Sequence, residues 1–367
     1  MKNYLNFEQD IKNLEIELDK LKDPYNQEGL SEVDTDRISK IQSEIDSKLN
    51  DVYSNLDSWQ KTQVARHEDR PKAKFFIENL FEEFILLAGD RFYGEDKSVL
   101  TGFAKFNQTS VLVIGQEKGE DLDSRIERNF GMMRPEGYRK TIRLMKLADK
   151  FNIPIILFID TPGAYPGVGA EERGQAEAIA KSIECCMELK VPTIAVIIGE
   201  GGSGGAIALA SSNKVLMFEN AIYSVISPEG CATILWRDPK KTLEAAEAMK
   251  LSSKDLLELG IIDEVISEPL GGAHRDKDLC IKNVRDAIKK NLNELNFLNR
   301  DEIFSHRKNK FLSIGRKKGF VSKIDSDENL IMKENFLQKI FINFKKFQYQ
   351  IIIAFCLLIF ALMYYFL

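Results

Sequence analysis

The densest run of chemically useful residues is Gly199-Glu200-Gly201-Gly202-Ser203-Gly204-Gly205-Ala206. It follows the apolar run Val191 to Gly199, which reads as a buried strand, and precedes the helical stretch Ala206 to Ala210. Small residues let a ligand approach bare backbone, and the first N–H groups of a helix lack acceptors within it and favour negative charge. Three chemistries fit this loop. As Gly-x-Gly-x-x-Gly, Gly199, Gly201 and Gly204, with Glu219 further on, suit a dinucleotide-binding oxidoreductase, although the helix ending before Lys214 is short for that crossover. As Gly-x-Ser-x-Gly, Ser203 is the nucleophile of a serine hydrolase with Asp263 and His274 following in triad order. The third reading adds a second loop, Asp160-Thr161-Pro162-Gly163-Ala164-Tyr165-Pro166-Gly167, which also follows an apolar run. Two such loops can aim backbone N–H groups at one oxygen and stabilise an enolate or ureido oxyanion without any side-chain nucleophile.

The elements that must position these loops are legible as short apolar runs: Ser110 to Gly115, Ile153 to Asp160, Val191 to Gly199 and Lys214 to Phe218. Separated by helix-period segments and glycine loops, they predict an α/β structure with much parallel pairing. Ile153-Pro154 and Val191-Pro192 open two units that echo one another about 38 residues apart. Downstream, Lys240 to Ile266 reads as helix, short helix, a stop at Gly260, then a strand. Near the start, Phe7, Ile11, Leu14, Leu18 and Leu21, and then Ile38, Ile41, Ile45, Leu49, Val52 and Leu56, predict two amphipathic helices in an antiparallel hairpin.

At 367 residues the chain has length for about two structured units. A net charge of -5 gives no global positive field, so nucleic acid is not an expected partner. Five cysteines, with only Cys185 and Cys186 adjacent, form neither a disulfide framework nor a metal knuckle, so no metal is expected in this chain and a reducing cytosol fits. Cys185 and Cys186 read as helix residues facing core and interface. No P-loop is present, so ATP chemistry is not expected here. The N-terminus shows no signal or transit pattern.

The opposite end changes character, since residues 351–367 carry no charge at all. Counted from Phe347, an apolar helix would be ~31 Å long against the ~30 Å of a bilayer core. Lys345 and Lys346 precede it, Tyr364 and Tyr365 suit the far interface, and no basic residue follows. The positive-inside rule then predicts a C-terminal transmembrane anchor with the enzyme in the cytoplasm, on the inner face of the membrane. The expected division is a helical hairpin over 1–60, a main domain over 61–312, a polar and basic linker over 313–346 and the anchor over 347–367.

The stretches ARHEDRP (65–71), LAGDR (87–91), RNFGM (128–132), PEGYRK (135–140), FIDTPGAYPGVGAEERGQ (158–175), GEGGSGGA (199–206), YSVISPEGCA (223–232) and EPLGGAHR (268–275) closely resemble the carboxyltransferase alpha subunit of bacterial acetyl-CoA carboxylase. The resemblance runs from about Phe7 to Leu312 and departs locally at Glu68 and Met133. It implies the crotonase fold, a spiral of ββα units, in agreement with the 38-residue echo. It implies transfer of a carboxyl group from carboxybiotin, borne on a separate biotin carboxyl carrier protein, to acetyl-CoA, giving malonyl-CoA for fatty acid biosynthesis. It also implies a beta subunit holding zinc and the main acetyl-CoA surface, an α2β2 assembly, and a separate biotin carboxylase that consumes ATP.

Carried onto this sequence, Gly204 and Gly205 would donate N–H groups to the biotin ureido oxygen, with Gly163 and Ala164 as the companion loop. Gly201, Gly202, Ser203, Tyr165, Tyr223 and Ser227 are expected to line or hold the pocket. Glu171 or Glu172 could serve as a side-chain base, against the alternative of a solvated helix start. Arg139, Lys140, Arg143 and Lys146 fall along one helix and either attract coenzyme A phosphates or form a wet helix face.

Overall fold

The computed structural model describes residues 3–22 and 35–316. The N-terminal periodicity yields α1 (Gln9–Lys22) and α2 (Thr35–Ser54). Their Ile11, Leu18, Ile41, Ile45 and Leu49 bury one another. Ion pairs between Arg37 and Glu17 and between Lys48 and Asp10 define the antiparallel sense. Glu8 and Glu15, both buried, reach Arg275 and fasten the pair to the rest of the chain.

After α3 (Ser58–Ala65) and α4 (Ala73–Leu80) comes an antiparallel meander of β1 (Glu82–Leu86), β2 (Val99–Phe106) and β3 (Thr109–Gln116). Pairing then turns parallel. Following α5 (Leu122–Glu127), α6 (Pro135–Lys150) crosses to β4 (Ile155–Thr161), and α7 (Val168–Glu172) with α8 (Gln175–Glu188) leads to β5 (Thr193–Gly202). Next, α9 (Ser203–Ala210) connects to β6 (Lys214–Phe218), and the short β7 (Ile222–Ser224) lies beside the far end of β5. Three helices, α10 (Pro228–Cys231), α11 (Thr242–Met249) and α12 (Ser253–Glu258), precede β8 (Glu264–Ile266), which pairs with β6. The long α13 (Lys277–Asn296) and α14 (Arg300–Ser313) close the described chain.

Every residue of β4 and β5 is buried, which is why both strands read as unbroken apolar runs rather than alternating ones. Their register explains the sequence echo. Ile155 pairs with Thr193 and Ile159 with Ile197, so residues at equivalent points of the two units stand side by side. Helix α14 is held by Arg307, which is fully buried without an acid partner among the described residues. Its guanidinium donates to the carbonyls of Leu189 at 2.6 Å and Val191 at 3.1 Å and to Asn213 Oδ1. Burial pulls its pKa down to about 10.

The expected basic face of α6 is corrected. Lys140 is buried, donates to the carbonyls of Asp96 and Val99, and pairs with Glu95. Arg143 donates to the Ala88 and Gly89 carbonyls and Arg139 to that of Arg173. Lys140, Arg139 and Arg143 tie loops together instead of forming one wet face; of the four, Lys146 alone is exposed. Cys185 and Cys186 are both buried in the core. Among the described residues no helix is long and apolar enough to cross a membrane, and the predicted anchor and most of its linker lie outside them.

Candidate functional site

Beyond Ile159 and Ile197 the register of β4 and β5 slips, and Thr161 pairs with Gly201. Asp160 bridges the slip, its Oδ1 accepting the Glu200 N–H at 2.9 Å. The loops that follow the two strands then touch. A Cβ on Gly202 would stand 2.1 Å from the Pro162 carbonyl oxygen, and one on Gly205 would stand 2.5 Å from the Gly163 carbonyl carbon and 2.9 Å from the Ala164 nitrogen. Backbone this close leaves no room for a side chain.

Gln116, at the end of β3, locks both loops with one fully buried amide. Its Oε1 accepts the Asp160 N–H at 3.2 Å and its Nε2 donates to the Gly205 carbonyl at 2.8 Å. The Thr161 hydroxyl donates to the Gly163 carbonyl and accepts the Gly163 N–H. The donor left to the first loop is therefore the Ala164 N–H. Helix α9 starts at Ser203 without a side-chain cap, so its first N–H groups, including those of Gly204 and Gly205, have no acceptor within the helix.

The structure thus brings Gly163, Ala164 and Gly205 together, with Gly204 beside them in the first turn of α9. Ser203 and Gly204 open onto an apolar groove of about 770 Å³, walled by Tyr223, Ile207, Val225 and Ile234. Burial pushes the Tyr223 phenol up to about 12. Gly201 and Gly202 lie buried inside β5, where they permit close approach and present no group to the groove. Tyr165 is held from behind: Gln175 donates to its carbonyl at 3.0 Å, and the Arg134 guanidinium lies 4.6 Å from its ring centre. The expectation for Ser227 is corrected, because its hydroxyl caps α10 by accepting the Gly230 N–H at 3.1 Å. Ser224, Val225 and Ile226 line the groove in its place. Glu171 and Glu172 are exposed, as a solvated helix start requires.

Both alternative readings of the glycine loop are overturned. His274 stacks on His67 with ring centres 3.8 Å apart, and burial, followed by His67 itself, lowers its pKa to about 2. Asp263 pairs with Lys310 and accepts the Val215 N–H, while the groove beside Ser203 contains no histidine. The triad therefore does not assemble. Gly199 and Gly201 lie within β5 rather than in a phosphate-binding turn, and α9 has only eight residues, so the dinucleotide fingerprint has no structural counterpart.

Sequence reasoning missed an ion network beneath the loops. Lys118 lies 2.7 Å from Asp160 and 3.4 Å from Glu200, and Arg66 joins Glu200 at 2.7 Å to Glu229 at 2.6 Å. Burial alone would raise the Glu200 pKa, yet Lys118 and Arg66 hold it below its ordinary value. Lys118 is kept protonated by Asp160 and Glu200 against the same burial. Its one sequence signal was the density of ions in ARHEDRP. Among the described residues no cluster of His, Cys, Asp and Glu could hold a metal ion.

A family model described as acetyl co-enzyme A carboxylase carboxyltransferase-like matches residues 4–315. The chain belongs to this family. It is 76% identical over 355 residues to the acetyl-coenzyme A carboxylase carboxyl transferase subunit alpha of Pelagibacter ubique (strain HTCC1062), covering 97% of this chain and 96% of that one. The corresponding subunit of Zymomonas mobilis is 53% identical over 86% of this chain and 100% of its own. Among solved structures, transcarboxylase 12S with methylmalonyl-coenzyme A and methylmalonic acid bound superposes with a TM-score of 0.52 at 20% identity, over 64% of this chain and 42% of that one. A Pseudomonas malonate decarboxylase hetero-tetramer in complex with coenzyme A gives 0.50 at 15% identity, over 60% and 89%. The fold is thus the α/β fold that these structures share.

Proposed function

We propose that this chain is the alpha subunit of an acetyl-CoA carboxylase carboxyltransferase, moving the carboxyl group of carboxybiotin on a carrier protein to acetyl-CoA to form malonyl-CoA. The observation that carries the reading is the family match across 4–315, which takes in both touching loops. When bound, carboxybiotin supplies an activated carboxyl group and a ureido carbonyl on which charge grows as that group leaves. The residues here suit it. The uncapped start of α9 offers the N–H groups of Gly204 and Gly205, the neighbouring loop offers Ala164, and Gln116 fixes the distance between them. The apolar wall with Tyr223 suits the sulfur-bearing ring of biotin, which carries no polar hydrogen. The beta subunit supplies the zinc ribbon and the main coenzyme A surface in an α2β2 assembly, and a separate biotin carboxylase consumes the ATP.

Purified alone, the chain is expected to be inactive in malonyl-CoA:biotin carboxyl exchange, and addition of the beta subunit is expected to create the activity. Vigorous exchange by the isolated chain would overturn the reading.

The C-terminal stretch 347–367 is the proposed membrane tether, with the catalytic part on the cytoplasmic side. Its charge-free sequence supports this. Full-length protein is expected to stay with membranes through high salt and alkaline carbonate and to dissolve in detergent. A chain stopped near Gly315 is expected to be soluble and active with its beta partner. Release of the full-length chain by carbonate alone would refute the tether.

A further inference from the structure

On the far side of the ion network lies a second cavity, of about 350 Å³, that the carboxyl-transfer reading does not use. Its wall includes Pro162, which immediately precedes Gly163, together with Lys72, Lys118, Arg125, Phe130 and Met132. We propose that this cavity is a small-anion subsite, taking a carboxylate or phosphate group at Lys72 and Arg125 while the carbon side of the ligand lies against Phe130 and Met132.

The charges around the cavity divide into those already answered and those that are not. Asp160 and Glu200 also line it, but Lys118 and Arg66 neutralise them at 2.7 Å each. Arg70 is bound to the buried Glu268. Lys72 is different. Its ammonium has three donors; it gives one to the Glu68 carbonyl at 2.7 Å and a longer one to the Arg70 carbonyl at 3.4 Å. Among the described residues it has no carboxylate partner, so a donor remains for a ligand. Among the described residues Arg125 meets only Glu68, at 3.5 Å, and that glutamate is 64% exposed. Burial lowers the Lys72 pKa, Asp160 opposes the fall, and Arg125 and Lys118 add to it. An anion in the cavity would reverse that imbalance.

The opposite wall is built at a conformational cost. Asn129, Phe130 and Gly131 have φ of 48°, 55° and 81°, three successive left-handed residues. Such strain persists where surrounding structure enforces it and clusters at ligand sites. Here it turns Phe130, 43% exposed, and Met132 to the cavity wall across from the lysine. A volume near 350 Å³ holds a small acid or the phosphate end of a larger molecule, not a whole nucleotide.

The test is calorimetric titration of the full-length chain, assembled with its beta subunit, with malonate and inorganic phosphate in turn. Saturable binding of at least one is expected, weakened ~10-fold or more by Lys72→Met and by Arg125→Gln, the loss of a hydrogen bond to a charged group. Binding of malonate but not phosphate identifies a carboxylate site; binding of phosphate identifies a phosphate site. Persistence of the same binding in a Gly205→Val complex separates this cavity from the donor loops. Absence of saturable binding by both probes, or equal binding by parent and both variants, would overturn the proposal.

Discussion

Gly205→Val is expected to abolish carboxyl transfer while leaving the assembly with the beta subunit intact. The space next to the Gly205 Cα is filled by the Gly163 carbonyl and the Ala164 nitrogen, within 2.9 Å of where a Cβ must go. These atoms belong to backbone pinned by Gln116 and Thr161, and cannot swing away like the end of a flexible side chain. The valine must therefore drive the two loops apart and spoil the convergence of their N–H groups. Loss of one oxyanion donor costs ~3 kcal/mol, roughly a hundredfold in rate, and a displaced loop forfeits more than one. Exchange activity and gel filtration of the reconstituted complex check the two halves of this outcome; parental exchange by the assembled variant would refute the donor role. Ser203→Ala keeps the backbone and removes only a hydroxyl, and transfer is expected to survive it. Because Ser203 sits at φ 52°, Ser203→Gly is expected to raise stability by ~1 kcal/mol.

The second large effect is thermodynamic. Arg70 is 3% exposed, donates to the Ile198 carbonyl at 2.7 Å and holds Glu268 through two bonds. Glu268 also accepts from the backbone of Asn220 and Ala273, so one carboxylate ties Arg70 and Asn220 to its own loop. Burial works to raise its pKa, but Arg70 and these donors hold it below the usual carboxylate value. Arg70→Met strands that charge, and breaking a buried pair from one side costs ~3–5 kcal/mol. The pH dependence reverses in the variant. In the parent the folded pKa is depressed, so the stabilisation is complete above about pH 4.5 and fades as pH falls through the folded value. Without Arg70 burial raises the pKa, the folded state prefers the protonated acid, and stability declines as pH rises above about 4.5. Urea unfolding at pH 5 and pH 8 distinguishes the two: a penalty no larger at pH 8 than at pH 5 would contradict it.

What the residues alone revealed depended on whether the governing interaction was local. The four apolar runs became β3 to β6 with boundaries shifted by at most three residues, because burial on both faces leaves a continuous apolar signature. The 38-residue echo was visible because parallel neighbours in register place equivalent residues opposite each other. β1 was missed since Glu82 to Leu86 is exposed on both sides and carries no pattern. The meeting of Gly163 with Gly205 followed from two glycine loops after two matching strands. Gln116 and the network of Arg66, Lys118 and Glu200 did not, since Arg66 and Glu200 are 134 residues apart and only the fold makes them neighbours. Ser227 was expected at the pocket from the resemblance alone, whereas Ser before Pro-Glu-Gly is an N-cap signature, and the cap forms.

The way Arg307 holds α14 also determines how the protein bears load. Traction on the polypeptide beyond Ile314 passes along α14 and into the sheet through a guanidinium clasped by the Leu189 and Val191 carbonyls, just ahead of β5. A fastening made to main-chain dipoles and shielded from solvent is insensitive to ionic strength, unlike the exposed Lys190–Asp301 pair nearby. Drag on the end of the chain is therefore delivered to the root of the strand that carries Gly201 and Gly202, and to its buried start rather than to the glycine loops at its far end.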